Sequence, residues 1–536
     1  MKAFTALFDR LSVTPGADNQ ITLIRDYLRQ TPDPERGYAL ALLTGSTALR
    51  MTRPAVIRAM VEERADGALL AMSLDYVGDL AETVSLLWPA AKTNRSAPSL
   101  SELVDLLPQS PKADIPAMPA GWLDACKPAE RYVLLRLLTG GSLRAGVPAS
   151  RIKAAIAAMS ESITADEVEE VWHALTPPYD DLFAWIEARG ARPDTDGKPV
   201  FRPFMHGTEV SAETVENRAP DADWLVEFLW NGARVQWVQA GGVVRLFSRD
   251  GDDLSPAFPE LTSPLPVDVV LDGQLMVDRR TGTGTELGTA EDLERRVQRK
   301  TATSAQLRDR PARLKVFDVL AVEGEDLRGL PLRDRRMRLE RLAREHGLDP
   351  SPLLDPASVV ELHQGLAAVA GTKGLILKRG DRPYGARGRG LRAGANRGDD
   401  WLKWPRAAHR FSAVLLYVQR TAGGPSAAFH EFTLGAVTED TEGPSLVPIG
   451  KVSPTGLTAE ELAQISAFAK ENTRERFGPV RSIEAGIVLE VACERIEGSA
   501  RRKSGLRLIT PRLLCVRQDV PWQHAHTLQS LLNLIA

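Results

Sequence analysis

Apolar positions recur with a helical period through the first third of the chain. Residues such as Val77, Leu80 and Val84 are spaced three and four apart, and this spacing continues to about Trp185 with almost no strand-like alternation. A passage rich in proline, glycine and aspartate at 188–204 then breaks the pattern and predicts a linker. The first region is therefore predicted to be all-α.

The pattern changes beyond about Met205. Runs of β-branched residues such as VDVVLDGQLMV and LKVFDVLAV alternate with turns, and an arginine-rich helical segment lies among them, which indicates an α+β region. After about Ala408, short strand-like runs surround a helical segment, a pattern that favours a small all-β barrel such as an OB-fold. We therefore predict three domains, over residues 1–205 (with the linker), 206–408 and 409–536.

Composition narrows the classes of protein to consider. The chain is 43% hydrophobic and 26% charged, which is typical of globular domains. Its 67 basic and 70 acidic residues nearly cancel, so a polyanionic partner would have to meet local basic patches. Cys126, Cys493 and Cys515 form no CxxC pair, which argues against a zinc site or a disulfide framework. With no cleavable leader at MKAFTALFDRL and no long apolar run, we expect a cytoplasmic protein without a membrane partner.

Four groups of segments occur in a fixed order that carries chemical information. They are VEFLWNGARVQ (226–236), FSRDGDD (247–253), LDGQL (271–275) with KVFDVL (315–320), and KGLILKRGDRPY (373–384) followed by DDWLKWP (399–405). Together they resemble the ordered motifs of the covalent nucleotidyltransferases, the superfamily of DNA ligases, RNA ligases and capping enzymes. No segment alone would suffice.

The resemblance extends beyond these motifs. The opening MKAFTALFDRL, the stretch SLDYVGDLAETVSLLWP and the segment SARRKSG are similar to the bacterial cisplatin damage response ATP-dependent DNA ligases. This implies an all-α N-terminal DNA-binding domain, an α+β nucleotidyltransferase (adenylation) domain and an all-β C-terminal OB-fold. It also implies nicked double-stranded DNA as partner, other DNA repair enzymes as further partners, a nucleoid-associated location, and ATP and Mg²⁺ as cofactors.

The expected chemistry requires a nucleophilic amine. In the family, a lysine attacks the α-phosphate of ATP, and Mg²⁺ held by carboxylates neutralises the developing charge. The first motif reads Lys-x-Asp-Gly-x-Arg in the family, whereas this chain places Leu229 at the lysine and Asn231 at the aspartate. A hydrocarbon side chain has no lone pair, so Leu229 cannot form the covalent adduct. A position in the core of a strand is compatible with this loss of the nucleophile.

Other reactive positions are also replaced. Gln274 stands for the glutamate after LDG, and Lys373 stands for the glutamate that opens the fourth motif. Pro405 and Val520 occupy positions where the family places lysines that grip the triphosphate. These changes reverse the sign of the local charge, so we predict no intact catalytic residue, no metal site, and binding of ATP and Mg²⁺ that is weak or lost. Lys373 is either a surface lysine or a cation that substitutes for the metal.

Several nucleotide-binding positions of the family are retained. The resemblance assigns adenine contact to Glu227, and sugar and phosphate contacts to Arg234 and Arg249. It assigns base stacking to Phe317. The closing motifs contain Lys378, Trp401 and Lys403.

Basic segments supply candidate DNA contacts. The stretch LLTGGSLRAGVPASRIKAAIAAM is similar to the family's minor-groove clamp, with Arg144, Arg151 and Lys153 as DNA-binding residues. The alternative is a glycine-capped helix joint with solvated arginines. A second run, 380–401, is predicted to be a mobile loop whose arginines either meet phosphates or are solvated. Those arginines are Arg382, Arg387, Arg389, Arg392 and Arg397, while His206, His363 and His524 are assigned no chemistry.

Three hypotheses about function remain. The first is a degenerate ligase that binds nicked duplex DNA without sealing it. The second is an active ATP-dependent ligase that uses another lysine or seals only nicks that already carry AMP. The third is a protein directed to RNA, against which the resemblance of the N-terminal segment to DNA clamps argues.

Overall fold

The computed structural model divides the chain into two compact units. The first comprises Met1–His206, Gly232–Ser351 and Gly380–Asn396, and the second comprises Gly207–Asn231, Pro352–Arg379 and Arg397–Ala536. The structure describes all residues except 47–51, 90–92, 94–95, 110–117, 142, 211, 219–222, 282–283, 300, 386–399, 407–408, 421–428, 441–442, 455–456, 478–479, 494, 500–501, 510 and 536. The predicted boundaries of three domains stay a prediction.

Helices dominate up to residue 186 and are interspersed with strands beyond it. They are α1 (Lys2–Val13), α2 (Ala17–Gln30), α3 (Glu35–Thr44), α4 (Pro54–Glu62), α5 (Gly67–Val77), α6 (Leu80–Leu87), α7 (Leu100–Gln109), α8 (Met118–Ala125), α9 (Pro128–Leu138), α10 (Ala149–Ala157), α11 (Ala165–Trp172), α12 (Asp180–Ile186), α13 (Ala212–Arg218), α14 (Ala290–Val297), α15 (Ser304–Asp309), α16 (Leu332–His346), α17 (Val359–Gln364), α18 (Ala459–Glu471) and α19 (Leu528–Leu532).

The strands follow the helical region. They are β1 (Thr208–Glu209), β2 (Trp224–Trp230), β3 (Ala233–Ala240), β4 (Val243–Ser248), β5 (Val269–Thr281), β6 (Gly284–Leu287), β7 (Ala312–Val322), β8 (Glu325–Asp326), β9 (Asp349–Pro350), β10 (Leu353–Leu354), β11 (Thr372–Arg379), β12 (Trp401–Pro405), β13 (His409–Arg420), β14 (Phe429–Asp440), β15 (Gly443–Val452), β16 (Thr473–Phe477), β17 (Val480–Ile483), β18 (Val488–Cys493), β19 (Arg495–Gly498), β20 (Leu506–Ile509) and β21 (Arg512–Val516).

The first unit contains the N-terminal helices and a sheet with the order β4-β3-β5-β7-β8. The helices bury the apolar stripes that their spacing predicts, and Phe4, Leu40 and Leu134 lie in their shared core. In the sheet, Val235 and Trp237 of β3 pack into an apolar cluster. Because side chains alternate along a strand, the residues between them face the other side of the sheet.

Among the described residues, the second unit contains three further sheets, the smallest of which pairs β19 with β20. The sheet with the order β1-β12-β11-β2-β10 packs Val226, Leu377 and Trp404 into its own apolar cluster. The C-terminal sheet has the order β15-β14-β13-β17-β16, with β18 joining β13 to β21. Helix α18 follows the third strand of this C-terminal segment and contributes Ile465 and Ala469 to its core. The α+β and C-terminal β patterns predicted from the sequence thus match the observed elements.

In the part of the chain that the structure describes, every helix is too short or too polar to cross a bilayer.

Candidate functional site

Strand β2 carries the first motif and presents it on one face of its sheet. Val226 lies in the apolar cluster and Phe228 packs against it, so Glu227 and Leu229 face the opposite side. We call this opposite side the motif face. The interpretation of Leu229 as an ordinary core residue therefore differs from the structure, in which Leu229 is half-buried and lies away from the cluster.

The residues that pair in register with Leu229 carry no amine. Gly374 of β11 pairs with Leu229 on one side and with Pro405 of β12 on the other. A Cβ added to Gly374 would lie 2.3 Å from the carbonyl oxygen of Trp404, so close approach of the two strands requires glycine there. The register row of the family's nucleophile thus consists of a leucine, a glycine and a proline, and Lys373 lies next to it at an irregularity of β11.

A buried ion pair lies elsewhere on the motif face. Lys378 Nζ donates to Glu227 Oε1 at 2.8 Å, and the two side chains are 1% and 2% exposed. The same ammonium lies 4.7 Å from the centre of the Trp401 ring. The charge of Lys378 is therefore balanced by Glu227, and the nucleotide contacts predicted for both residues stay predictions.

The other motif positions of this unit are half-buried. Lys403 pairs in register with Ile376, which in turn pairs with Glu227, so these residues form a second row across the sheet. The backbone N–H of Asn231 donates to Gly371 O at 2.7 Å, and the carbonyl of Lys373 accepts from Arg406 N at 2.8 Å. These backbone bonds hold the two substituted positions at the ends of β2 and β11.

In the first unit, Arg234 is held by a buried carboxylate and a phenol. Its Nε and Nη2 donate to the two carboxylate oxygens of Asp272 at 3.0 and 2.6 Å, and Nη2 also donates to Tyr384 Oη at 3.1 Å. Tyr384 Oη donates to Asp272 at 2.6 Å, and Arg234 Nη1 donates to Met205 O at 2.5 Å. We call Arg234, Asp272 and Tyr384 the buried triad.

Electrostatics fix the charges of the buried triad. Burial lowers the pKa of Arg234, but the charges of Asp272, Tyr384 and Asp318 and the hydrogen bond to Asp272 together more than offset this effect, and the net change is upward. Burial and the charge of Asp272 raise the pKa of Tyr384 well above its ordinary value. The Arg234 guanidinium also lies 4.4 Å from the Phe204 ring centre and 5.5 Å from that of Phe317. Arg234 therefore stays positively charged, and its N–H groups donate hydrogen bonds to other residues of the same unit.

A second buried pair adjoins the triad. Arg335 donates to both carboxylate oxygens of Asp318, at 2.9 and 2.8 Å, and neither residue has measurable exposure. The Arg335 guanidinium lies 5.5 Å from the Tyr384 ring centre. Sequence reasoning missed Asp272, Asp318 and Arg335. The signal for the first two was present, because each is an acidic residue inside a quoted motif.

Gln274 lies between cations in its sheet. It pairs in register with Arg234 on β3 and with Lys315 on β7, and Lys315 Nζ donates to Asp349 Oδ1 at 2.5 Å. Within the described residues, no group of three or more His, Cys, Asp or Glu side chains is arranged to hold a metal ion.

The turn that carries Arg249 packs on the N-terminal helices. Arg249 itself is exposed, and its neighbour Gly251 approaches Glu169 so closely that an added Cβ would lie 2.7 Å from Oε1. Glu169 also accepts a hydrogen bond from Lys153, which is 2% exposed. Next to this pair, the His173 ring lies 4.3 Å from that of Phe247.

The three residues predicted to contact DNA differ in exposure. Lys153 departs from the expectation of a surface cation, because burial and the ion pair with Glu169 withdraw its ammonium from solvent. Arg151 is half-buried and donates to Gln20 Oε1 at 2.5 Å. Arg144 is exposed, with its guanidinium lying over Gly45. Roles for Arg144, Arg151 and Lys153 in DNA contact stay predictions.

Of the loop arginines, Arg382 is described and lies 3.7 Å from Asp381, whereas Arg387, Arg389, Arg392 and Arg397 lie outside the described residues.

His363 stacks on Trp404 at 3.8 Å and contacts Pro405 O at 2.9 Å, and burial lowers its pKa.

In the C-terminal motif, Arg517 pairs with Asp519 at 2.8 Å and with Glu490 at 2.7 Å, immediately before Val520. The hydrogen bond from Arg517 lowers the pKa of Asp519 to about 2.

Comparisons with known proteins give consistent matches. A family model described as ATP dependent DNA ligase domain matches residues 205–404. The chain is 31% identical to a DNA ligase of Natronomonas pharaonis over 412 residues, which cover 76% of this chain and 71% of that protein. A probable DNA ligase of Koribacter versatilis is 26% identical and aligns over 99% of this chain and 95% of its own length. Among solved structures, a mycobacterial DNA ligase D complexed with ATP and MES is 24% identical over 57% of this chain and 92% of that chain, with a TM-score of 0.30.

Proposed function

The chain belongs to the ATP-dependent DNA ligase family, and from that premise we propose that it binds nicked duplex DNA without forming a lysyl-adenylate. The observation that carries this proposal is Leu229 at the position of the nucleophile. The residues paired in register with it, Gly374 and Pro405, offer no substitute. Loss of a nucleophile in covalent enzymes lowers rates by about 10⁴- to 10⁶-fold.

The lysines on the motif face support the same reading. Lys378 lies in the row that contains Leu225 and Trp401, two rows from Leu229, and its ammonium is paired with Glu227. A lysine must lose a proton before it can attack phosphorus, and a buried carboxylate partner favours the protonated form.

The replaced carboxylates support a loss of metal chemistry. Asn231, Gln274 and Lys373 lack the anionic oxygens that Mg²⁺ prefers, and Gln274 is flanked in its sheet by Arg234 and Lys315. In this proposal ATP and Mg²⁺ bind weakly or not at all. Any attraction of a phosphate group is then due to basic side chains and not to a bound metal ion.

Finer assignments complete the proposal. We propose that the C-terminal segment 409–536 serves as an OB-fold, because α18 follows the third of its strands in a β-rich unit with its own core. We also propose membership of the bacterial cisplatin damage response subtype, and thus a role in DNA repair, on the segments quoted above. Arg144 and Arg151 are proposed to contact the duplex.

An adenylylation assay tests the loss of the nucleophile. The protein is incubated with radiolabelled ATP and Mg²⁺ and separated on a denaturing gel, and we expect no labelled band at its own mass. If a band forms, the variants Lys378→Met and Lys403→Met identify whether either lysine replaces the missing nucleophile. A labelled wild-type band contradicts the proposal whichever lysine carries it.

Binding and joining assays separate the remaining alternatives. We expect tighter binding to nicked duplex than to intact duplex or single-stranded RNA, measured by fluorescence anisotropy. Equal affinity for intact duplex and RNA, with no preference for the nick, would favour an RNA-directed protein. A nick that already carries AMP is expected to stay open, and joined strands would instead favour a ligase restricted to the last step.

A further inference from the structure

A polar pocket lies at the surface of the first unit, outside the motif residues described above. It has a volume of about 580 Å³ and is formed around α14 and α15. We call it the α14–α15 pocket. Its lining residues are Arg295, Gln298, Arg299, Thr303, Gln306 and Arg310, so the lining has three guanidinium groups and lacks a carboxylate.

The charges of the pocket are incompletely balanced. Arg295 pairs with Glu291 at 2.7 Å and Arg310 pairs with Asp292 at 2.7 Å. Arg299 is exposed and makes no ion pair within the part of the chain that the structure describes. Arg299 is therefore the lining guanidinium that has no carboxylate partner among the described residues, while Glu294 lies beside the pocket and accepts a hydrogen bond from Gln298 at 3.0 Å.

A buried arginine holds one wall of this pocket in place. Arg296 is 1% exposed, and it donates to Arg310 O at 2.6 Å, to Ala257 O at 2.7 Å and to Glu260 Oε1 at 2.8 Å. Its guanidinium also lies 4.7 Å from the centre of the Phe258 ring. Arg310 is thus fixed at its backbone carbonyl as well as at its side chain, and the positive wall is preorganised.

We propose that the α14–α15 pocket binds a phosphate group, supplied by the backbone of duplex nucleic acid. Guanidinium groups present several donors in a fixed fork that matches phosphate oxygens, and they do not lose their charge at any physiological pH. The amide nitrogen of Gln306 on the same lining can donate a further hydrogen bond, whereas that of Gln298 already donates to Glu294. The inference rests on the proposed DNA binding for its source of phosphate, but not for the anion chemistry itself.

The matched variants are Arg299→Gln and Arg308→Gln. Both remove one exposed arginine and the same charge, but Arg308 lies on α15 outside the pocket and pairs with Asp309. We expect Arg299→Gln to weaken binding of nicked duplex roughly threefold to tenfold and to reduce the slope of log K against log salt by about one. Arg308→Gln is expected to bind like the wild type.

Inorganic phosphate provides an arm that does not depend on DNA. We expect phosphate to raise the Tm of the wild type and of Arg308→Gln, and to leave Arg299→Gln unchanged relative to chloride at equal ionic strength. This result together with unaltered DNA affinity supports the pocket and assigns it to free phosphate. If the wild type binds no duplex, the proposed function fails while the Tm comparison still decides the pocket. Equal behaviour of the two variants in both assays overturns the inference.

Discussion

Position 229 differs from the family pattern by a single functional group, yet restoring that group should not restore the reaction. Leu229→Lys supplies an amine but leaves Asn231, Gln274 and Lys373 without carboxylates. Because phosphoryl transfer depends on positioning and on charge neutralisation by metal, we expect no labelled adduct from this variant alone.

Restoring all four positions should revive the first step. We expect the variant Leu229→Lys, Asn231→Asp, Gln274→Glu, Lys373→Glu to form a labelled adduct with ATP and Mg²⁺ on a denaturing gel, where the single variant gives none, because only the fourfold variant regains the carboxylates that can hold the metal ion. Labelling of the single variant would show that the carboxylates are dispensable. An unlabelled fourfold variant would show that other positions account for the loss.

The buried triad gives Asp272 a role in stability. Replacing it with asparagine leaves the cation of Arg234 buried without its carboxylate, and breaking such a pair costs on the order of 3–5 kcal/mol. We therefore expect Asp272→Asn to lower the Tm of the first unit by roughly 6 °C or more, followed by circular dichroism. Asp250→Asn, in an exposed turn, is the control and should melt like the wild type. An unchanged Tm for Asp272→Asn would mean that the triad is structurally unimportant.

The buried triad also shows which features of a motif can be predicted from the sequence and which cannot. The resemblance pointed to Arg234, but its partners lie 38 and 150 residues along the chain, at Asp272 and Tyr384. Pairing over such distances depends on the fold and leaves no periodic signal. Motif positions could therefore be named from the sequence, whereas the groups that occupy the donors of Arg234 could not.

At the scale of elements, the pattern of apolar and polar residues predicted which segments form strands better than it predicted which side chains are exposed. The apolar runs of β5 and β7 were evident from their β-branched residues, and the helices were evident from their period. Lys153 was predicted to contact DNA because its segment is similar to the family's minor-groove clamp. In the structure α10 is covered on the side of Lys153 by α11 and the turn at Gly251, so Lys153 is buried.

His173 makes this packing sensitive to pH. Burial, followed by the charge of Lys153, lowers the pKa of His173 to about 3, and among described residues its Nε2 has no hydrogen-bond partner. Below an ordinary pKa of about 6.5 the unfolded chain binds a proton that the folded chain refuses, so the free energy of unfolding falls on acidification. Glu169 acts in the opposite sense, because burial raises its pKa despite Lys153.

A variant isolates the contribution of the histidine. We expect acidification from pH 7 to pH 5 to lower the Tm of His173→Gln less than that of the wild type, by an amount equivalent to about 2 kcal/mol. His524→Gln, which alters an exposed histidine, should follow the wild type. Identical pH dependence of His173→Gln and the wild type would contradict the assignment.

At the scale of the whole molecule, charge has to act locally. The chain carries a formal net charge of −3, so its overall field repels a polyanion weakly and any attraction comes from basic patches. The candidate DNA contacts predicted from the sequence were the stretch around Arg144 and the run 380–401, and residues 295–310 were not among them. The run at 295–310 became a pocket only because α14 and α15 bring Arg295, Arg299 and Arg310 to one lining.

Local attraction predicts strong dependence on salt and none on magnesium. If three or four phosphates are neutralised, raising monovalent salt from roughly 50 to 200 mM should weaken binding of nicked duplex on the order of 100-fold. Replacing Mg²⁺ with EDTA at constant ionic strength should leave the affinity unchanged, because the replaced carboxylates provide no site for the cation. Fluorescence anisotropy titrations measure both effects. A loss of nick binding in EDTA would instead mean that a metal ion bridges the protein and the DNA. The proposal that the replaced carboxylates leave no site for Mg²⁺ would then be wrong.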